Sequence, residues 1–180
     1  MRRQSGLSLV ELTVALAIIA LTTSLAAVSL VSLNGYMKVT STVALLSDTV
    51  AKTRLDAMSR YEYRAVEIPA PQAGTLVVDY VVIRSCNLSQ VACNANEASL
   101  WPQVAIVRAG EGMGFVSPTA DATAPYEIVF TDLGSSTLRE MADIGVCHVY
   151  RDASGLLQCQ GGVSAKTVRI RMVTGIVQVL

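Results

Sequence analysis

The sequence predicts an α+β protein: a long N-terminal helix, transmembrane in its first half and amphipathic in its second, packed on a small antiparallel β-rich head. Three observations predict it. From Leu7 to Leu33 the only ionisable side chain is Glu11. From Tyr36 to Ala57 apolar residues recur at helical spacing. After Pro69 and Pro71, short runs rich in Val and Ile alternate with segments of Gly, Pro, Asn, Asp and Ser.

The 180 residues suffice for one compact domain and one long appended element. The chain is 52% hydrophobic and only 16% charged. Soluble domains carry about a quarter charged residues, so part of the apolar excess is expected outside an ordinary core. Lys and Arg number 14 and Asp and Glu number 14. That balance excludes a dominant electrostatic attraction to nucleic acid.

The chain starts with Met1-Arg2-Arg3-Gln4-Ser5-Gly6 and no A-x-A-like cleavage site follows a short apolar core, unlike an ordinary secretory signal. The apolar run instead continues for about the 20 residues that a bilayer span requires. Arg2 and Arg3 would hold the N-terminus on the cytoplasmic side, with the remainder outside. Glu11 is costly in such a helix and calls for a partner; its alternative is to snorkel to the headgroups.

Beyond the span, Tyr36, Val39, Val43, Leu46, Val50 and Ala57 form an apolar stripe that Thr53 interrupts and Leu55 and Met58 broaden. Asp48, Lys52, Asp56 and Arg60 form an i, i+4 ladder of alternating sign, the mark of a solvated face. Pro is absent from Leu7 to Ile68, which favours one continuous helix.

In the head, strands are expected within Thr75–Arg84, Gln103–Arg108, Tyr126–Thr131, Val146–Tyr150, Thr167–Met172 and Ile176–Leu180, with loops at Gly110–Gly114 and Ser117–Pro125. Cys86, Cys93, Cys147 and Cys159 all follow the apolar run, so export would place them in an oxidising compartment. Four cysteines allow three connectivities. The preferred one is short-range, Cys86 with Cys93 and Cys147 with Cys159, each closing a loop within or beside a hairpin; four unpaired thiols are the alternative.

The start of the chain carries a resemblance. Gly6-Leu7-Ser8-Leu9-Val10-Glu11-Leu12, behind a basic leader, resembles the type III signal of prepilins and pseudopilins. In that family a membrane peptidase cuts after the glycine and methylates the new N-terminal residue. The resemblance implies a leader over residues 1–6, cleavage between Gly6 and Leu7, N-methylation of Leu7, and a filament-assembly role for Glu11. The Glu11 carboxylate would neutralise the Leu7 ammonium of a neighbouring subunit inside a low-dielectric filament core. Leu7 stands where the family usually has Phe, and Val28 lies near the place of a proline common in major pilins.

The resemblance narrows further along. Lys52-Thr53-Arg54-Leu55-Asp56-Ala57-Met58-Ser59-Arg60 is similar to the end of the long helix in the GspH/FimT family. Phe130-Thr131-Asp132-Leu133-Gly134 resembles that family's "F...G" turn, and a final hairpin around Thr174-Gly175 also fits. The implied parts are the leader 1–6, a transmembrane and filament-core helix 7–33, its amphipathic continuation 34–63, and a pilin-like head 64–180. The implied partners are the prepilin peptidase, other pilin or pseudopilin subunits through the N-terminal helix, and the inner membrane. The implied place is the bacterial inner membrane as a single-pass protein with a periplasmic head, then a pilus or pseudopilus. An unprocessed membrane protein of the same topology is the alternative in which the leader remains.

Catalytic chemistry finds no support in the sequence, and no enzyme activity or cofactor is expected. His148 is the one histidine; as a strand neighbour of Cys147 it would point to the opposite face, so the two do not converge as a nucleophile pair. The cysteine spacings do not fit the close pairs of a zinc site, so no metal is expected. Gly110-Glu111-Gly112-Met113-Gly114 lacks the Lys-Ser/Thr ending of a phosphate cradle. Some FimT-type minor pilins act in DNA uptake through a GRxR-like motif near the C-terminus. Here the corresponding turn reads Gly175-Ile176-Val177-Gln178, without either arginine. Arg169 and Arg171, on one face of the preceding strand, are the remaining candidates for DNA contact.

Overall fold

The computed structural model describes residues 8–72, 75–87, 93–118, 124–136, 141–162, 166–171, 174 and 176–180; side chains are described for these except 25–32, 95–97 and 162. Two compact units divide the chain, Met1–Met37 and Lys38–Leu180. Helix α1 (Leu9–Arg60) contributes to both.

In the first unit α1 exposes large apolar side chains on every side. Leu9, Val10, Leu12, Val14, Leu16, Ile18, Ile19 and Leu21 are all more than half exposed. The hydroxyls of Thr22 and Thr23 return to the carbonyls of Ile18, Ile19 and Ala20. The expected membrane span over residues 7–33 is corrected here. Among the described residues no helix is long and apolar enough to cross a membrane. The described start of α1 carries Glu11 and the hydroxyls of Thr13, Thr22, Thr23 and Ser24 among its apolar side chains. The single-pass inner-membrane location, which rested on that span, falls with it.

In the second unit the expected stripe is the buried face of α1: Val39, Val43, Leu46, Val50 and Ala57 are buried, whereas Tyr36, in the first unit, is exposed. Thr49 and Thr53 sit in the same face because their hydroxyls donate to the carbonyls of Leu45 and Thr49, both at 2.7 Å. The helix ends in a Schellman arrangement. Tyr61 adopts φ 54° and the Glu62 N–H donates to the Ala57 carbonyl at 3.1 Å.

Two antiparallel sheets follow. The first has the order β4-β3-β1-β6, from β1 (Tyr63–Ile68), β3 (Tyr80–Cys86), β4 (Gln103–Arg108) and β6 (Tyr126–Phe130). Its central strand β1 sets Val66 opposite both Ile83 and Ile128. The second has the order β10-β9-β7-β5-β2, from β2 (Val77–Val78), β5 (Met113–Val116), β7 (Ala142–Arg151), β9 (Lys166–Ile170) and β10 (Val177–Val179), with β8 (Leu157–Cys159) paired to β7. The buried face of α1 shares one core with both sheets: Leu46 and Val50 cluster with Val66, Ile128 and Phe130 from the first and with Phe115, Ile144 and Ile170 from the second. A smaller cluster lies under the 3-10 turn Ala95–Leu100, where Ala98 and Trp101 meet Ala65, Cys86 and Val129.

The turn after β6 docks on the end of α1. Gly134, at φ +74°, lies so close to Met58 that a β-carbon there would fall 2.4 Å from Sδ, and its carbonyl accepts from Arg54 Nε at 2.8 Å. Nearby, Arg64 is buried on β1 and pairs with Asp56 at 3.4 Å and Glu62 at 3.3 Å. Buried Glu67 is held by Arg84, whose third contact is the Trp101 carbonyl. The hydrogen bonding that Arg84 donates to the Glu67 carboxylate is the main reason the Arg84 pKa is raised.

Candidate functional site

The scissile pair implied by the sequence, Gly6 and Leu7, lies outside the described residues. The helix start beside it is described. Ser8 acts as N-cap: its Oγ accepts from the Val10 N–H at 3.3 Å, and its carbonyl accepts the first helical bond, from the Leu12 N–H, at 3.2 Å. Glu11 reaches back, and its Oε2 accepts from the Ser8 N–H at 3.0 Å. This is a capping box, S-x-x-E, in which two helix-end donors are satisfied reciprocally. A carboxylate in the first turn also meets the positive end of the helix dipole. Sequence reasoning singled out Glu11 but passed over Ser8, although the S-x-x-E spacing before an apolar run was present.

The four cysteines form two disulfides, Cys86–Cys93 and Cys147–Cys159. Cys147 therefore has no thiol to serve as a nucleophile, and His148 stands on β7 opposite Met113 of β5. Among the described residues no group of three or more His, Cys, Asp or Glu side chains is arranged to hold a metal ion.

The two candidate arginines lie at the β9 end of the second sheet. Arg169 is clamped by Asp143 of β7, with Nε to Oδ1 and Nη2 to Oδ2 both at 2.7 Å. The register sets the two residues directly opposite. The bidentate bond holds the Asp143 carboxyl below its usual range and raises the Arg169 guanidinium. Among the described residues Arg171 reaches only Gln178 Oε1, at 3.4 Å. Both arginines line a surface cavity of about 360 Å³ with Met141, Thr174, Ile176 and Gln178. The guanidinium fork of Arg169 is thus turned to a carboxylate rather than left open to a phosphate.

Residues 1–27 match the family model described as "Prokaryotic N-terminal methylation motif". The chain carries this prepilin-type motif, which is characteristic of the type IV pilin and pseudopilin superfamily. The motif is consistent with a structural pilin-type subunit in general. No curated protein and no solved structure shows a significant match to the chain.

Proposed function

We propose that this chain is a minor pilin or pseudopilin, a structural subunit of a type II secretion pseudopilus or a type IV pilus, assembled after cleavage between Gly6 and Leu7. The observation that carries this reading is the methylation motif over residues 1–27, set on a helix whose apolar side chains face outward all round. A helix apolar on every face is stable only when covered. Helices of neighbouring subunits supply that cover, and burying what remains exposed of each Leu or Ile contributes about 1 kcal/mol. Glu11 offsets the Leu7 amine freed on a neighbour by the prepilin peptidase, so that neither charge enters the bundle unpaired.

The resemblance of the head to the GspH/FimT family supports the minor-subunit assignment. The Phe130–Gly134 turn that carries part of it packs against Arg54 and Met58 of the helix segment that carries the rest. The DNA-binding alternative gains nothing from the geometry, because Asp143 occupies the fork of Arg169.

Mass spectrometry of the protein purified from its own cells tests the reading. The expected product begins at a methylated Leu7 and co-purifies with other pilin-type subunits. A chain that retains Met1 and purifies alone would overturn it.

A further inference from the structure

We propose that the head carries a binding cleft for a neutral saccharide, bounded by Asp79, Arg108, Glu111, Tyr150 and Arg151. Two adjoining cavities, about 310 Å³ and 160 Å³, share Asp79, Arg151 and Leu157 in their walls. The larger is of the size of small-ligand pockets, about 300 Å³ and upward. Buried Met113 and the half-buried Val149 and Leu157 are the large apolar side chains in its lining.

Backbone bonds tie the lining segments together, one of them closing the turn before β5. The Ala109 N–H donates to the Asp79 carbonyl at 2.8 Å, the Met113 N–H to Gly110 at 2.9 Å and the Val149 N–H to Gly112 at 2.9 Å. Gly112 has φ +71° and open space where a β-carbon would stand, so the loop that borders the cleft adds no side chain there. A cleft held this way needs little ordering on binding.

Its chemistry selects the ligand. Two carboxylates and two guanidinium groups line the same concavity, so it exerts no net attraction on either an anion or a cation. Among the described residues no side-chain hydrogen bond or ion pair engages Asp79, Arg108, Glu111 or Tyr150. Carboxylates only accept and guanidinium groups only donate, whereas each sugar hydroxyl does both. A neutral ring bearing several hydroxyls satisfies both kinds of group at once. Tyr150, 52% exposed, adds an aromatic face for the ring's C–H side.

Saturation-transfer NMR on the full chain, in a zwitterionic detergent without sugar headgroups, tests this. The probes are glucose, galactose, mannose and N-acetylglucosamine, with anionic N-acetylneuraminate as the charge control. At least one neutral sugar is expected to bind with a dissociation constant on the order of 1 mM, the range open to a single ring. Tyr150→Ala and Asp79→Asn should each weaken it at least tenfold, while Arg169→Ala, in a separate cavity, leaves it unchanged. Thermal unfolding reports whether each variant folds, and Tyr150→Ala carries the test if Asp79→Asn does not. The proposal is overturned if no neutral sugar binds, if N-acetylneuraminate binds more tightly than all of them, or if folded variants bind as the wild type does.

Discussion

Gly134→Ala puts the docking of the β6 turn on the helix to a quantitative test. Alanine at φ +74° costs about 1 kcal/mol for the left-handed backbone alone. The added β-carbon would stand 2.4 Å from Met58 Sδ and 2.9 Å from its Cγ, closer than real contacts allow. Met58 is flexible and half-buried, so it rotates away at a cost of about 1 kcal/mol rather than displacing the helix. The carbonyl of the same residue accepts from Arg54 Nε at 2.8 Å, and losing a hydrogen bond from a charged donor costs roughly 1.5–3 kcal/mol. The sum is about 2 kcal/mol if that bond survives and about 4 kcal/mol if it breaks. At roughly 3 °C per kcal/mol for a domain of this size, Tm falls by about 6–12 °C. Thermal unfolding of the full chain by circular dichroism measures it. In a Met58→Ala background the steric part vanishes, so Gly134→Ala should then cost about 1 kcal/mol less than in the wild type. A Tm within about 1 °C of wild type for Gly134→Ala would refute the reasoning.

The other predictions follow from single contacts. Tyr61→Gly relieves a left-handed tyrosine at the end of α1 at some cost in chain entropy, so stability should rise by up to about 1 kcal/mol; a fall in Tm counts against the strain. Removing Cys147–Cys159, with a sequence separation of 12, should cost about 3 kcal/mol, and a loss under about 1 kcal/mol would show that the bridge is dispensable to the fold. Because Arg169 lowers the folded pKa of Asp143, its contribution is present above the unfolded value of about 3.9 and is lost as pH falls through the lower folded value. The stability difference between wild type and Asp143→Asn should therefore shrink below about pH 4, and a difference independent of pH would discount the pair. Glu11→Gln keeps an oxygen for the Ser8 N–H but not the charge; helix start and expression should persist while filament incorporation drops, and wild-type incorporation would remove the charge from the mechanism.

What the sequence made legible was local. The stripe Val39, Val43, Leu46, Val50 and Ala57 is the buried face because helical spacing alone puts those side chains on one side. Strands rich in Val and Ile were found where they lie, as in β4 and β6. Strand β1 was not among the expected strands, since Arg64 and Glu67 break the apolar pattern of Tyr63–Ile68, and ion pairs explain their burial, Arg64 with Asp56 and Glu62 and Glu67 with Arg84. Strand β5 was read as part of a glycine loop. Gly114 belongs in it because its missing side chain lets Val77 and Val149 approach, a requirement of tertiary packing that no local pattern displays. The division into two sheets depends likewise on which strands meet across long loops.

The helix start brings the local and the functional readings together. Glu11 was read from the sequence as an anomaly, a carboxylate in an apolar run that called for a partner or for snorkelling to the headgroups. The capping box gives it a partner within its own chain, so the residue is not idle before assembly. The two roles are compatible in stereochemistry. The Ser8 N–H uses Oε2, and a carboxylate offers about four acceptor positions, so Oε1 remains open to an incoming ammonium. A carboxylate already oriented by a cap loses less side-chain entropy when that ammonium arrives than one free to rotate. On the proposed function, Ser8 thereby contributes to assembly without touching the neighbouring subunit, by holding Glu11 at the end of the helix where a freed amine must come.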